Sequence, residues 1–238
     1  MAKVPTRETA KDSEVEAFLE KVKSAPAPIR DGGEPGRLIF AMDATASREP
    51  TWDHACHIQA EMFAETAALG GLDVQLIYFR GFGECRASKW VPNAAGLARL
   101  MSSVGCRGGH TQIRKVLDHA IKETKKKRVH ALVYVGDAME EDIDTLCHKA
   151  GELGLLNLPI FLFHEGGDPI AARAFREMAR LSGGAYCPFD LASARQLREL
   201  LSAVAVYAAG GRRALLEYGK KRGGEALRLT HQMSGKSG

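Results

Sequence analysis

The chain has 238 residues, 45% of them hydrophobic and 26% charged, with a net charge of +4. That composition suits a soluble globular protein of one large domain, or one domain with appendages, long enough to bury a sizeable core. No apolar run approaches the roughly 18 residues of a membrane span, and the N-terminus MAKVPTRETAKDSEVEAFLEKVKSA lacks a signal-peptide core, so a cytoplasmic protein without a membrane partner is expected.

In chain order, residues 1–36 read as an appendage. A short amphipathic helix is predicted near Ser13–Ser24, with Ser13 as N-cap and Glu16 three residues on, and the segment APAPIRDGGEPG then breaks regular structure. The main domain is placed at 37–210. RLIFAMD is a short continuous apolar run, as expected of a strand covered on both faces. A helix over Thr51–Leu69 follows, ended by Gly70-Gly71. DVQLIYFRG is a second strand and ECRASKWV, after the turn GFG, an antiparallel edge partner. NAAGLARLMSSV is helical. The loop GCRGGHT leads into the helix QIRKVLDHAIKETKKK, whose Lys125–Arg128 run reads as a solvated end favourable to the helix dipole. VHALVYVGD, LPIFLFHEG and GAYCPF are strands; IDTLCHKAGELG, AARAFREMARLSG and SARQLRELLSAVAVYAAG are helices. From Gly211 onward seven Lys and Arg stand against Glu217 and Glu225, a net +5, which leaves −1 for the rest of a chain whose total is +4. The segment 211–238 therefore reads as a basic tail. Nucleic acid is not expected as its partner, because the lone Tyr218 does not interleave the charges as a stacking surface would need.

Five cysteines (Cys56, Cys85, Cys106, Cys147 and Cys187), odd in number and never in a C-x-x-C pair, read as free thiols in a reducing compartment. The repeated βα alternation with one hairpin implies an α/β fold, a doubly wound and mostly parallel sheet with one antiparallel edge strand and helices on both faces. Ligands of such sheets sit outside the carboxyl ends of the strands. Three segments fall at such ends: Asp43, Thr45 and Ser47 in DATAS, Thr111 in GGHT, and Asp137 in VGDA. Together they offer two carboxylates and three hydroxyls, all hard oxygen donors. That set suits Mg²⁺ or Mn²⁺ and does not choose between them. Small Ala44 and Ala46 leave room between donors that point one way from an extended arc, and Gly108 and Gly109 allow the second loop to approach closely. A cation held largely by neutral hydroxyls stays electrophilic and would attract an Asp or Glu carboxylate from outside.

These three motifs, in this order, resemble the metal-ion-dependent adhesion site (MIDAS) of the von Willebrand factor A (VWA) domain, over roughly residues 37–208. The resemblance implies a six-stranded Rossmann-like sheet and a Mg²⁺ or Mn²⁺ site at Asp43, Thr45, Ser47, Thr111 and Asp137. It also implies a non-catalytic, intracellular protein-binding module that captures an acidic residue of a partner. Thr45 stands where Ser is commoner, and VGDAMEED replaces the more frequent TDG style of the third loop.

An enzyme reading stands beside this one. DATAS also resembles the nucleophile loop of haloacid-dehalogenase-like phosphatases, and GDAMEED matches their acidic motif through Asp137 and Asp142. Asp43 would then attack phosphorus, with Mg²⁺ held by Asp43 and Asp137. Thr45 stands where the usual second Asp would be, which counts against it. His54, Cys56 and His57 read as ordinary helix residues rather than zinc ligands, and His110 either lines the site or caps. Trp52 is either part of an exposed recognition surface or buried, and Trp90 is a packing residue. Arg80, Arg86 and Lys89 either steer an acidic partner or protect the sheet edge.

Overall fold

The computed structural model describes residues 34–49, 52, 53, 55, 64, 66, 71–189 and 194–221. The expected helix over Ser13–Ser24, most of the Pro/Gly linker, most of the helix over Thr51–Leu69 with His54, Cys56 and His57, and the basic segment beyond 221 lie outside the described residues.

β1 (Gly36–Asp43) is buried at all 8 positions, as its unbroken apolar run requires of a strand covered on both sides. Its side chains alternate. Leu38, Phe40 and Met42 enter one core and Ile39 and Ala41 the other, so β1 is the wall between two hydrophobic layers. The remaining strands are β2 (Leu72–Arg80), β3 (Glu84–Ala87), β4 (Ala131–Gly136), β5 (Ile160–Glu165) and β6 (Ala185–Phe189). They form one six-stranded sheet in the order β3-β2-β1-β4-β5-β6, parallel throughout except for β3, which runs antiparallel along β2 at the edge.

The helices are α1 (Ala94–Ser102), α2 (Ile113–Lys126), α3 (Ile143–Leu155), α4 (Pro169–Ser182) and α5 (Ala194–Lys221), with further helical residues at Trp52, Asp53, Ala55, Ala64 and Thr66. Trp52, α1 and α5 pack on the Phe40 face; α2, α3 and α4 pack on the Ile39 face. Short local signals set the ends. Asn93 caps α1 by accepting from the Gly96 N–H, Asp168 caps α4 ahead of Pro169, and Gly183 closes α4 at φ 71°.

Two expectations are adjusted. ECRASKWV reads as a strand to 91, but the regular ladder stops at Ala87. The Leu76 N–H donates to the Ser88 hydroxyl at 3.0 Å, so a side chain takes a place in the pairing. The Ser88 N–H still donates to the Leu76 carbonyl at 2.8 Å, and beyond it Val74 and Val91 pair as an isolated bridge. The last helix, expected to end at 210, resumes after a break at Gly211 (φ 71°, ψ −171°) and runs to Lys221, with Leu215 buried in the Phe40-face core.

Candidate metal centre

β1 lies between β2 and β4, and the chain leaves β1 toward one side of the sheet and returns to β4 on the other. The crevice outside the carboxyl ends of β1 and β4 is therefore the topological switch point, where a doubly wound sheet binds its ligands. Met42 pairs with Val135 across the two strands, which sets the following residues, Asp43 and the Gly136-Asp137 turn, side by side.

Asp43 is 1% exposed, and its Oδ1 accepts the Thr45 N–H at 2.7 Å. That bond fixes the carboxylate and shapes the turn, because an Asp accepting from the backbone two residues on makes its own local loop. Thr45 Oγ1 lies 3.3 Å from Ser47 Oγ, and the Ser47 hydroxyl donates to Asp137 Oδ2 at 2.8 Å. Four of the five expected donors thus form one hydrogen-bonded chain across the β1–β4 crevice. Burial falls along it, from Asp43 and Thr45, buried, to Asp137, half-buried, and Ser47, exposed. Polar oxygens at the floor and solvent at the mouth describe a site that can be entered from outside.

Thr111 is 7% exposed and joins through the third loop. Its N–H donates to Glu140 Oε2 at 2.9 Å, and its Oγ1 accepts the Glu140 N–H at 3.1 Å. The Thr111 N–H, followed by His110, holds the Glu140 carboxyl below its ordinary value. Glu141 accepts from the N–H groups of Ile113, at 2.5 Å, and Arg114, at 3.0 Å. The loop is also pinned to the DATAS turn, since the Arg107 N–H donates to the Ala44 carbonyl at 3.0 Å. Close approach requires glycine at 109, where a Cβ would stand 2.2 Å from the Gly81 carbonyl oxygen.

Glu140 and Glu141, which tie the Thr111 segment to the loop of Asp137, were not singled out by the motifs. A signal for them existed. α2 begins with Gln112, which makes no capping bond, and has no acid in its first turn, so its exposed N–H groups needed acceptors from elsewhere. Asp142 sits one residue further. Its carboxylate caps α3 by accepting the Thr145 N–H and hydroxyl, the hydroxyl bond first and the backbone bond second holding it below its ordinary value. In the phosphatase reading this residue belongs to the metal-binding acidic motif; here its oxygen is committed to the helix end.

Other candidates resolve as packing. Trp52 is 3% exposed and donates from its indole N–H to the Met101 carbonyl, so it is not a recognition surface. Trp90 donates to Glu123 and lies under the Arg37 guanidinium at 3.8 Å. Arg80 is tied to Glu84 and to the Gly105 carbonyl, and Arg86 lies 3.8 Å from the same glutamate. The Lys125–Arg128 run is likewise not merely solvated, because Lys125, Lys126 and Lys127 pair with Glu152, Glu123 and Glu34. Burial pushes the Cys85 thiol up to about 11, away from thiolate chemistry. Among the described residues no three His, Cys, Asp or Glu side chains gather as a metal cluster.

Solved structures share this fold. The SpRpn10 VWA domain is 13% identical with a TM-score of 0.53, the match covering 74% of this chain and 97% of that one. An aerotolerance-related membrane protein from Bacteroides fragilis is 13% identical at a TM-score of 0.55, over 71% of this chain and 98% of that one. Proximal thread matrix protein 1 from the mussel byssus, with a zinc-occupied MIDAS motif, is 13% identical at 0.58, over 74% of this chain and 47% of that one. No protein-family model and no curated protein matches the sequence.

Proposed function

We propose that this chain, whose fold is that of a von Willebrand factor A domain, is a non-catalytic protein-binding module of an intracellular assembly, using a divalent cation to capture an acidic residue of its partner. The observation that carries this reading is the hydrogen-bonded chain Asp43–Thr45–Ser47–Asp137 at the switch point of the sheet. The donors are oxygen only, as a hard cation such as Mg²⁺ or Mn²⁺ prefers, and they mix two carboxylates with neutral hydroxyls. Asp43, Thr45, Ser47, Thr111 and Asp137 would hold the ion. When bound, it supplies a Lewis-acidic position that an outside Asp or Glu carboxylate can fill.

This chain's own residues prepare the place. The Thr45 N–H aims the Asp43 carboxylate. Glu140 and Glu141 moor the Thr111 loop to the loop that carries Asp137, which joins two segments far apart in sequence. The zinc-occupied motif of the mussel protein supports a cation site in this fold. A cytoplasmic address belongs to the same reading; no described helix is long and apolar enough to cross a membrane.

Thermal unfolding with and without metal tests it. A ligand that binds only the folded state adds about 2.7 kcal/mol at a hundredfold excess over Kd, which for a domain of this size raises Tm by about 5–10 °C. Mg²⁺ or Mn²⁺ should raise Tm over an EDTA control, and Asp43→Ala should erase the rise. No shift with either ion sinks the metal site. Asp43-dependent turnover of an aryl phosphate would sink the non-catalytic reading in favour of the phosphatase.

A further inference from the structure

Phe82, at the tip of the β2–β3 hairpin, is 86% exposed. A large aromatic ring left in water is informative where a single exposed aliphatic is not, because burying it would be worth about 2 kcal/mol. The tip beneath it is held by an unusual number of bonds from the Thr111 segment. The His110 N–H donates to the Gly81 carbonyl at 3.2 Å. The Gln112 amide fans over the carbonyls of Arg80, Gly81 and Glu84 at 3.2–3.5 Å. Lys115 Nζ donates to the Gly83 carbonyl at 2.8 Å. Gly81 stands at φ 61°, which a side chain would resist, and its backbone abuts Gly109. The carbonyls on both sides of Phe82 are therefore satisfied from one direction, and the ring is carried outward on a pinned turn.

Among the described residues its aromatic neighbour is His110, edge-on with ring centroids 5.2 Å apart. His110 precedes Thr111 directly and lies 3.1 Å from Glu140 through Nδ1. Phe82 thus stands at the rim of the candidate site, on the side that carries Thr111. A preformed aromatic that costs little entropy to fix is the kind of residue that dominates binding at an interface.

We infer that Phe82, backed by His110, is the specificity anchor of the metal site, selecting partners in which the captured Asp or Glu has a large apolar side chain within about three residues of it. This rests on the metal reading above. An extended segment spans about 10 Å in three residues, and His110, the neighbour of Thr111, lies against the ring with centroids 5.2 Å apart. The Phe82 side chain is 86% exposed, so its removal should leave the fold and the cation untouched.

The test titrates two capped peptides, Ser-Leu-Leu-Asp-Leu-Leu-Ser and Ser-Gly-Gly-Asp-Gly-Gly-Ser, into the full chain with Mg²⁺, followed by amide chemical shifts. The leucine peptide should bind about tenfold more tightly. Phe82→Ala should abolish that advantage, while Phe82→Leu keeps part of it. Both variants should retain the affinity for the glycine peptide and the Mg²⁺-induced rise in Tm. Equal affinities for the two peptides, an advantage that survives Phe82→Ala, or no binding of either peptide overturns the anchor, with the metal reading still judged by the Tm rise. A Phe82-dependent preference that persists in EDTA and in Asp43→Ala supports the anchor and overturns the metal reading alone.

Discussion

Glu141 accepts the N–H groups of Ile113 and Arg114 from a strand-end loop 27 or more residues away, in place of the local cap that α2 lacks. A carboxylate at a helix N-terminus gains from both the hydrogen bonds and the macrodipole. Glu141→Ala should therefore lower stability by about 1–2 kcal/mol, read as a lower urea midpoint at unchanged slope, and Glu141→Gln should recover part of the loss. If Ala were neutral, the two loops would not be joined in the way the site requires. The same residue marks what the sequence could and could not tell. Asp43, Thr45, Ser47 and Asp137 were legible because a strand end fixes where a side chain goes and local spacing fixes what stands beside it. Glu140 and Glu141 were not, because their partners lie across a turn whose path no local pattern sets; only the uncapped start at Gln112 hinted that acceptors must come from elsewhere.

Between elements, the packing of α2 on β2 contains a half-buried polar relay. His119 Nε2 lies 2.9 Å from Gln75 Oε1, and Gln75 Nε2 donates to the Ser88 carbonyl at 2.9 Å, where the β3 ladder has ended. Burial pushes the His119 imidazole below its ordinary value of 6.5, with nearby Glu123 opposing the shift. The sign follows. The unfolded chain takes up the proton at a higher pH than the native state does, so the contribution to stability is whole above 6.5 and is lost as pH falls toward the lower native value. Urea midpoints should fall between pH 7.5 and 5.5, and His119→Gln, which keeps a donor for Gln75 without a titrating ring, should flatten part of that fall. His164, also pushed down by burial, accounts for some of the remaining slope. A variant with the full wild-type slope would remove His119 from the relay. At this scale the order of elements was readable because fully buried strands declare themselves as unbroken apolar runs. Their ends were less so: Ser88 sits in a strand-like stretch and its N–H still donates to the Leu76 carbonyl, yet its hydroxyl accepts the Leu76 N–H, a choice made by a side chain against its neighbour strand.

Across the whole molecule, the sheet separates two cores, and α5 closes the one on the Phe40 face while passing the start of β1. There the fit is tight, for a Cβ on Gly36 would stand 2.4 Å from the Ala208 carbonyl oxygen. That end of β1 is opposite the end that carries Asp43. Beyond it the helix breaks at Gly211, whose positive φ of 71° resists any side chain, and the resumed turns bring Leu215 to 4% exposure in the Phe40-face core. The basic composition from 211 onward suggested a solvated tail, because Lys and Arg outnumber the apolar residues that one turn of helix needs to stay docked. Leu215 supplies that docking, and we place the domain's structural end beyond it. Leu215→Ala should then cost about 2–4 kcal/mol, as deletion of a buried leucine side chain does, and a chain ended at Gly210 should lose at least as much. Since the helix end and the proposed metal site lie at opposite ends of the strands, the two should not communicate. The Leu215→Ala protein should show a lower urea midpoint but the same Mg²⁺-induced rise in Tm, and combining it with Asp43→Ala should give additive changes. An unaltered midpoint after truncation at 210 would return the boundary to Gly210 and leave Leu215 as a passenger on the core.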